Sequence, residues 1–324
     1  MKNINEDVFG EGIFGADRDH WKWQRKVASN IFNVKNFREY YSPIFAEDAA
    51  RVASHLQRAS ELGAYVDIQD LLLRSTMDSF LRIGMGTKPA SLAGTPTVVK
   101  GKYTLPVDDF ANAFDTANAI IAEQFLLPLW EIVQVFNGNA AKIRGCKQLL
   151  QTKAQAIMDK RRKVLAQGDV KLRGALPMDL LDYLIRSQNE DGTRQMMHPP
   201  QQLSFLFAGR DTTAQTLLWV MHEMAYHPKI FAKVREECLS VLGKDRMCAF
   251  EDIKDSSTHK RSSVRFSGTT TTCPSTLSSQ IRNDVLPGTN TRVYKGQRVT
   301  YSPLAMGRLE RIWGPDAGEN DGLT

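Results

Sequence analysis

Cysteine is scarce in this chain: Cys146, Cys238, Cys248 and Cys273 are the only four, and no two form a CxxC pair. Such spacing builds neither a zinc site nor a disulfide framework, so a reducing compartment is the default and no metal ligand is assigned. No apolar run is long enough to span a bilayer. The polar residues 1–7 carry no signal peptide, so the sequence as it stands brings no membrane anchor of its own and is compatible with the cytoplasm. There is no GxSxG nucleophile elbow and no Walker loop, which leaves hydrolysis and phosphoryl transfer without residues to carry them. The six histidines are scattered. His222 and His227 are five apart rather than four, so on a helix they point to different faces and do not make a zinc-protease pair. Gly10, Gly12 and Gly15 match GxGxxG, but no strand precedes them and no βαβ unit follows, so a dinucleotide site is set aside.

What is present describes a folded, helical chain. With 324 residues, 42% hydrophobic and 24% charged, the chain can bury a substantial core. The net charge of +6 is mild, and no nucleic-acid motif accompanies it. The tight basic run Lys160, Arg161, Arg162, Lys163 is expected to be a solvated helix end. Apolar residues recur at helical spacing over residues 36–62 and 67–84. Further helices are expected over 17–32, 108–125, 138–167, 178–187, 201–227 and 230–242, with a loop between 86 and 96. The helix over 201–227 is the most apolar, and His227-Pro228 closes it because proline disfavours helical geometry in the residue before it. Residues 256–281 are dominated by serine and threonine and alone would be a disordered linker. Residues 292–301 alternate like a strand. The expected class is mainly α with a small β portion, in a single domain.

Two constellations carry candidate chemistry. Trp21 and Arg25 are four apart and share one helix face, where an indole N–H and a guanidinium could clamp an anion. The plainer reading is a tryptophan anchoring a surface helix beside a solvated arginine. Ala208-Gly209-Arg210-Asp211-Thr212-Thr213 interrupts the most apolar helix with poor helix formers. A missing side chain at Gly209 makes room, and a threonine hydroxyl can bond back to the preceding turn and bend the helix. The plainer alternative, favoured on these residues alone, is a helix that begins at Asp211 with a Thr212/Gln215 capping box.

Together, in this order and about 180 residues apart, WxxxR and AGxDTT resemble the C-helix and I-helix of cytochromes P-450. Residues 12–17 and 21–26, 205–237, 294–303, 306–308 and 312–317 resemble the fatty-acid ω-hydroxylase and alkane hydroxylase group. The resemblance implies that Trp21 and Arg25 hold a haem propionate. It implies that Ala208 and Gly209 open a groove beside the iron, and that Asp211 and Thr212 manage protons for splitting dioxygen. It further implies haem b, a flavoprotein reductase passing electrons from NADPH, a long-chain fatty acid or alkane as substrate, and the endoplasmic reticulum membrane for the family parent.

Three departures from that pattern shape the expectation for this chain. It starts just before the C-helix. The ExxR helix expected between Asp255 and Asn283 is replaced by the Ser/Thr-rich stretch, and one codon choice for residues 256–263, read one base earlier, gives a family-like sequence, as a local frameshift would. No cysteine stands in an FxxGxxxC context, and Cys273, followed by proline in the aberrant stretch, is no substitute. The expectation is therefore an incomplete P-450 fold, probed against two others: a helical remnant that binds lipid without chemistry, and a degenerate product with no activity.

Overall fold

The computed structural model describes residues 10, 12–14, 16, 18–127, 129–166, 179–186, 199–244, 246–254, 276–279, 283–286 and 288–315. They fall into two compact units, one of residues 1–214 with 247–251, the other of residues 215–246 with 252–324.

The first unit is helical. Helix α1 (Arg18–Ser29) is followed by a short turn of helix (Val34–Asn36), capped by the Asn33 side chain accepting from the Asn36 N–H at 2.9 Å. A five-residue π turn (Phe37–Tyr41) then leads into α2 (Ser42–Glu61). The apolar period predicts one uninterrupted helix here. The difference lies at Pro43, which has no N–H to give the carbonyl four residues back, and the widened turn ahead of it absorbs the missing bond. Helix α3 (Ile68–Met85) opens on Asp67, whose carboxylate accepts from the Asp70 N–H, and ends at Gly86 in the left-handed region (φ 57°).

A small sheet lies between α2 and α4 in the chain: β1 (Tyr65–Val66), β2 (Thr97–Val99) and β3 (Lys102–Thr104), in the order β1-β3-β2. Strands β2 and β3 form a tight hairpin whose two turn residues, Lys100 and Gly101, both have positive φ, as a two-residue hairpin loop requires. Helix α4 (Asp109–Leu126) begins with Asp108 accepting from the Phe110 and Ala111 N–H groups at 2.9 and 3.1 Å. The seven-residue α5 (Trp130–Phe136) buries no residue and is too short to show a period in the sequence. Helices α6 (Asn139–Ala166) and α7 (Leu180–Arg186) follow.

Helix α8 (Pro199–Tyr226) is continuous through Asp211, so the alternative in which a helix begins there is overturned. Its first half runs through the main core. Leu203 and Leu206 are fully buried among Ile31 just after α1, Met77 of α3, Phe114 of α4, Leu150 of α6 and Leu184 of α7. The basic run at the end of α6 is also corrected in part. Lys160 and Lys163 are exposed, but Arg161 is half-buried, donating to Asp179 at 2.5 Å and to the Met85 carbonyl oxygen at 3.2 Å, with Asp182 at 3.5 Å. Two buried carboxylates demand a cation, and Arg161 reaches them.

The second unit holds the end of α8, helix α9 (Pro228–Leu242), two short ladders and helices α10 (Pro303–Gly307) and α11 (Glu310–Trp313). Pro228 sits in the first turn of α9, where its missing N–H costs nothing. Val220, Ile230 and Val234 pack together where α8 meets α9. The stretch expected to be one strand over 292–301 is two. β6 (Thr291–Val293) pairs with β5 (Asp284–Leu286), while β7 (Arg298–Tyr301) pairs with β4 (Thr276–Ser279). Lys295-Gly296, with Gly296 at φ 89°, turns the chain between them. Of the Ser/Thr-rich stretch 256–281, residues 276–279 thus form a strand. The remainder, with Cys273, lies outside the described residues.

Candidate functional site

Both constellations lie in the first unit. On α1, Trp21 and Arg25 are exposed, and the guanidinium carbon stands 5.6 Å from the centre of the indole ring. Their i, i+4 spacing brings them together as the sequence predicts. Among the described residues neither the indole N–H nor the guanidinium has a hydrogen-bond partner, so their donors are available to an anion. On the neighbouring face, His20 stacks on Trp23 at 5.9 Å and lies 3.0 Å from Gln201 Nε2, which ties α1 to the start of α8.

Along α8, Thr212 donates its hydroxyl to the Ala208 carbonyl oxygen at 2.7 Å. This is the back-bond to the preceding turn, not a cap, as befits a residue in mid-helix. Ala208 is half-buried. Gly209 lies against α3. A Cβ there would fall within the Phe80 ring of α3, so the missing side chain accommodates Phe80 and packs α8 close to α3.

Asp211 faces α4. Its Oδ2 accepts from Asn118 Nδ2 at 2.7 Å, and its Oδ1 accepts from Arg210 Nη1 at 2.9 Å. The other arm of the guanidinium, Nη2, reaches Asp115 Oδ1 at 2.6 Å. Arg210 itself is 1% exposed, with Phe114 covering it at 5.2 Å. Burial pushes the Asp211 carboxyl up to about 6, and nearby Asp115 pushes the same way, while Arg210 pulls it down. Desolvation outweighs the counter-ion because the guanidinium is shared between two carboxylates. The result is an acid that changes charge near neutral pH, one helix position from a hydroxyl. No described contact joins Trp21 or Arg25 to Asp211 or Thr212.

Sequence reasoning reached Asp211 and Thr212 but missed Arg210, Asp115 and Asn118. A signal for them exists. A cation in the most apolar helix must be paired, and α4 offers an acid and an amide three apart, on one helix face.

Haem is the group that these residues have to be tested against. Trp21 and Arg25 fit a propionate, since both present unspent donors on one face. The described cysteines do not fit an iron ligand. Cys146 packs against the core of the first unit and burial pushes its thiol up, Cys238 packs beside Val220, Ile230 and Val234, and Cys248 lies 3.5 Å from the Ala249 carbonyl oxygen. Among the described residues no cluster of His, Cys, Asp or Glu could hold a metal ion.

Comparison with known proteins gives these features a common origin. A cytochrome P450 of known structure (CYP102L1) superimposes with a TM-score of 0.80, at 18% identity, over 98% of this chain and 68% of its own. Cytochrome P450 monooxygenase cyp1 of Mycosarcoma maydis is 32% identical over 97% of this chain and 49% of its own length. Cytochrome P450 704B1 of Arabidopsis thaliana is 29% identical over 96% of this chain and 65% of its own, and cytochrome P450 94A2 of Vicia sativa is 29% identical over 98% and 60%. The chain thus spans between about half and just under two thirds of these curated relatives. The sequence model of the Cytochrome P450 family matches residues 1–319, covering both WxxxR on α1 and AGxDTT on α8. With that match and the shared fold, this chain belongs to the cytochrome P450 family.

Proposed function

We propose that this chain carries the propionate-binding and proton-handling parts of a monooxygenase that hydroxylates a long-chain fatty acid or alkane. The observation that carries this reading is Asp211, a carboxyl held at about 6 in the middle of an apolar helix, next to Thr212. An acid that titrates near neutral pH can give up a proton and take it back under working conditions. Thr212, whose hydroxyl donates to the Ala208 carbonyl oxygen, would pass that proton on. Ala208 would face the groove beside the cofactor, and Trp21 with Arg25 would anchor its anionic edge. Dioxygen activation is the chemistry that a thiolate-bound haem supplies. A flavoprotein reductase would bring the electrons from NADPH.

The substrate class rests on the stretches that resemble ω-hydroxylases and alkane hydroxylases. An endoplasmic reticulum membrane setting belongs to the same reading. No helix among the described residues is long and apolar enough to cross a membrane. Leu129, Ile132, Val135 and Phe136 in and before α5 are nevertheless each exposed, as apolar side chains that meet lipid would be. With none of the described cysteines placed for iron, we infer that the chain binds lipid without oxidising it.

The test is equilibrium binding of laurate and longer fatty acids to the purified chain, followed by incubation with haem, reductase and NADPH. Saturable binding that strengthens with chain length, and no hydroxylated product, is the expected result. Failure to bind any long-chain lipid removes the substrate assignment. Hydroxylated product would show that the chain needs no thiolate from elsewhere.

A further inference from the structure

In the first unit a cleft of about 410 Å³ lies where α3, the loop after it, the start of α4 and α6 come together. Small-molecule sites usually have roughly 300–1,000 Å³. None of the residues lining this one belongs to α1 or α8, the helices that carry the two motifs.

Arg74 of α3 lines the cleft and is 9% exposed. Its Nε donates to both oxygens of Asp70 at 2.9 and 3.0 Å, and its Nη1 donates to the Ser91 and Pro106 carbonyl oxygens at 2.9 and 3.0 Å. These bonds hold the guanidinium between α3 and two loop segments. Nη2 has no hydrogen-bond partner among the described residues, so its N–H groups are the ones left for a molecule in the cleft. Lys153 of α6 and Asp109, the first residue of α4, line the same space. Among the described residues neither has a hydrogen bond or an ion pair, and they do not pair with each other. The other charges nearby are already engaged. Asp70 balances Arg74, and Asp108 caps α4 by accepting from the Phe110 and Ala111 N–H groups. What remains is one cation and one carboxylate, on different helices, bordering one space beside a buried donor. An exposed lysine or aspartate alone is a solvated charge and no more. Ala90, Ala93, Val107 and Phe110 add an apolar wall.

We propose that this cleft binds a small zwitterion, a free α-amino acid with an apolar side chain, its carboxylate between Lys153 and Nη2 of Arg74, its ammonium on Asp109 and its side chain against Val107 and Phe110. A simple anion would gain Lys153 but meet Asp108 and Asp109. A simple cation would gain the acids but meet Lys153. A molecule that carries both charges matches both walls. The site goes beyond the haem and lipid reading above and does not depend on it.

The experiment is saturation-transfer NMR on the full chain at neutral pH, with free leucine as the ligand. The comparison ligands are 4-methylpentanoate, which lacks the ammonium, and 3-methylbutylamine, which lacks the carboxylate. Leucine is expected to saturate at about 1 mM, and each comparison ligand to bind about tenfold more weakly or worse. Lys153→Ala and Asp109→Asn change exposed side chains and leave the core intact, and each is expected to weaken leucine about tenfold. Excess laurate should leave leucine bound. The proposal is overturned if leucine gives no saturable signal or if a comparison ligand binds as well. Leucine binding that is indifferent to either variant, or displaced by laurate, would place it elsewhere and overturn the proposal too. A chain that binds leucine as expected but no fatty acid would keep this site and remove the substrate assignment made above.

Discussion

Gly209 and Phe80 show how one absent side chain can be read in two ways. The sequence motif reserves space at Gly209, and the structure fills that space with the Phe80 ring. The two readings differ in what they predict. If Phe80 needs the space, Gly209→Ala overpacks the contact and destabilises the fold by about 1–3 kcal/mol, more than the roughly 1 kcal/mol that alanine gains over glycine in a helix. With Phe80→Ala as background, the clash disappears and the same substitution should stabilise by about 1 kcal/mol. Urea denaturation of the four variants measures the reversal of sign, and a Gly209→Ala that is neutral in both backgrounds would detach the glycine from Phe80.

Asp211 gives a second prediction for a single side chain. Its folded value of about 6 lies above the ordinary 3.8, so the folded chain binds more protons than the unfolded one between those values. Its contribution to stability is therefore full below about pH 3.8 and is lost as the pH rises through 6. Two units correspond to roughly 3 kcal/mol. The stability of Asp211→Asn relative to the natural chain should accordingly rise by roughly 2–3 kcal/mol between pH 4 and pH 7. Urea midpoints at several pH values test this, and a difference that stays constant with pH would place the carboxyl back in the ordinary range.

Among the elements, what was legible in the sequence and what was not divides along a physical line. Long helices with an apolar stripe are visible because burial on one face repeats at the helical period, and α3, α4, α6 and α8 lie within a few residues of their expected bounds. Seven-residue α5 and the strands β1 to β3 are too short to repeat anything. The split of residues 292–301 into β6 and β7 depends on a turn at Lys295-Gly296 that a two-residue alternation does not reveal. Partner identity is invisible for the same reason. A run of four cations at the end of α6 reads as one solvated patch until α7 brings Asp179 and Asp182 to Arg161 alone. Arg161→Met should cost about 3–5 kcal/mol, since it strips the counter-charge from two buried carboxylates, whereas Lys163→Ala should cost less than about 0.5 kcal/mol. Equal losses at both positions, measured by thermal or urea unfolding, would return the whole run to the surface.

For the molecule as a whole, motif order carried more than any single motif. WxxxR and AGxDTT are each weak alone, and the structure explains why they belong to one fold: α1 and α8 are tied by His20 and Gln201, and both pack on the core that Leu203 and Leu206 enter. The motifs did not disclose that Asp211 is bonded to α4, because Asp115 and Asn118 lie about 90 residues away in sequence and meet α8 only once the helices pack. Nor did they supply an iron ligand, and none of the described cysteines does so.

Titration of the purified chain with haem, followed by absorbance, tests the family-derived site most directly. The expected result is saturable binding without the carbon monoxide difference band of thiolate-ligated haem, weakened about tenfold in Arg25→Ala through loss of a charge-assisted hydrogen bond. Haem uptake that does not saturate, or that is indifferent to Arg25→Ala, would contradict the assignment of Trp21 and Arg25 as a propionate clamp.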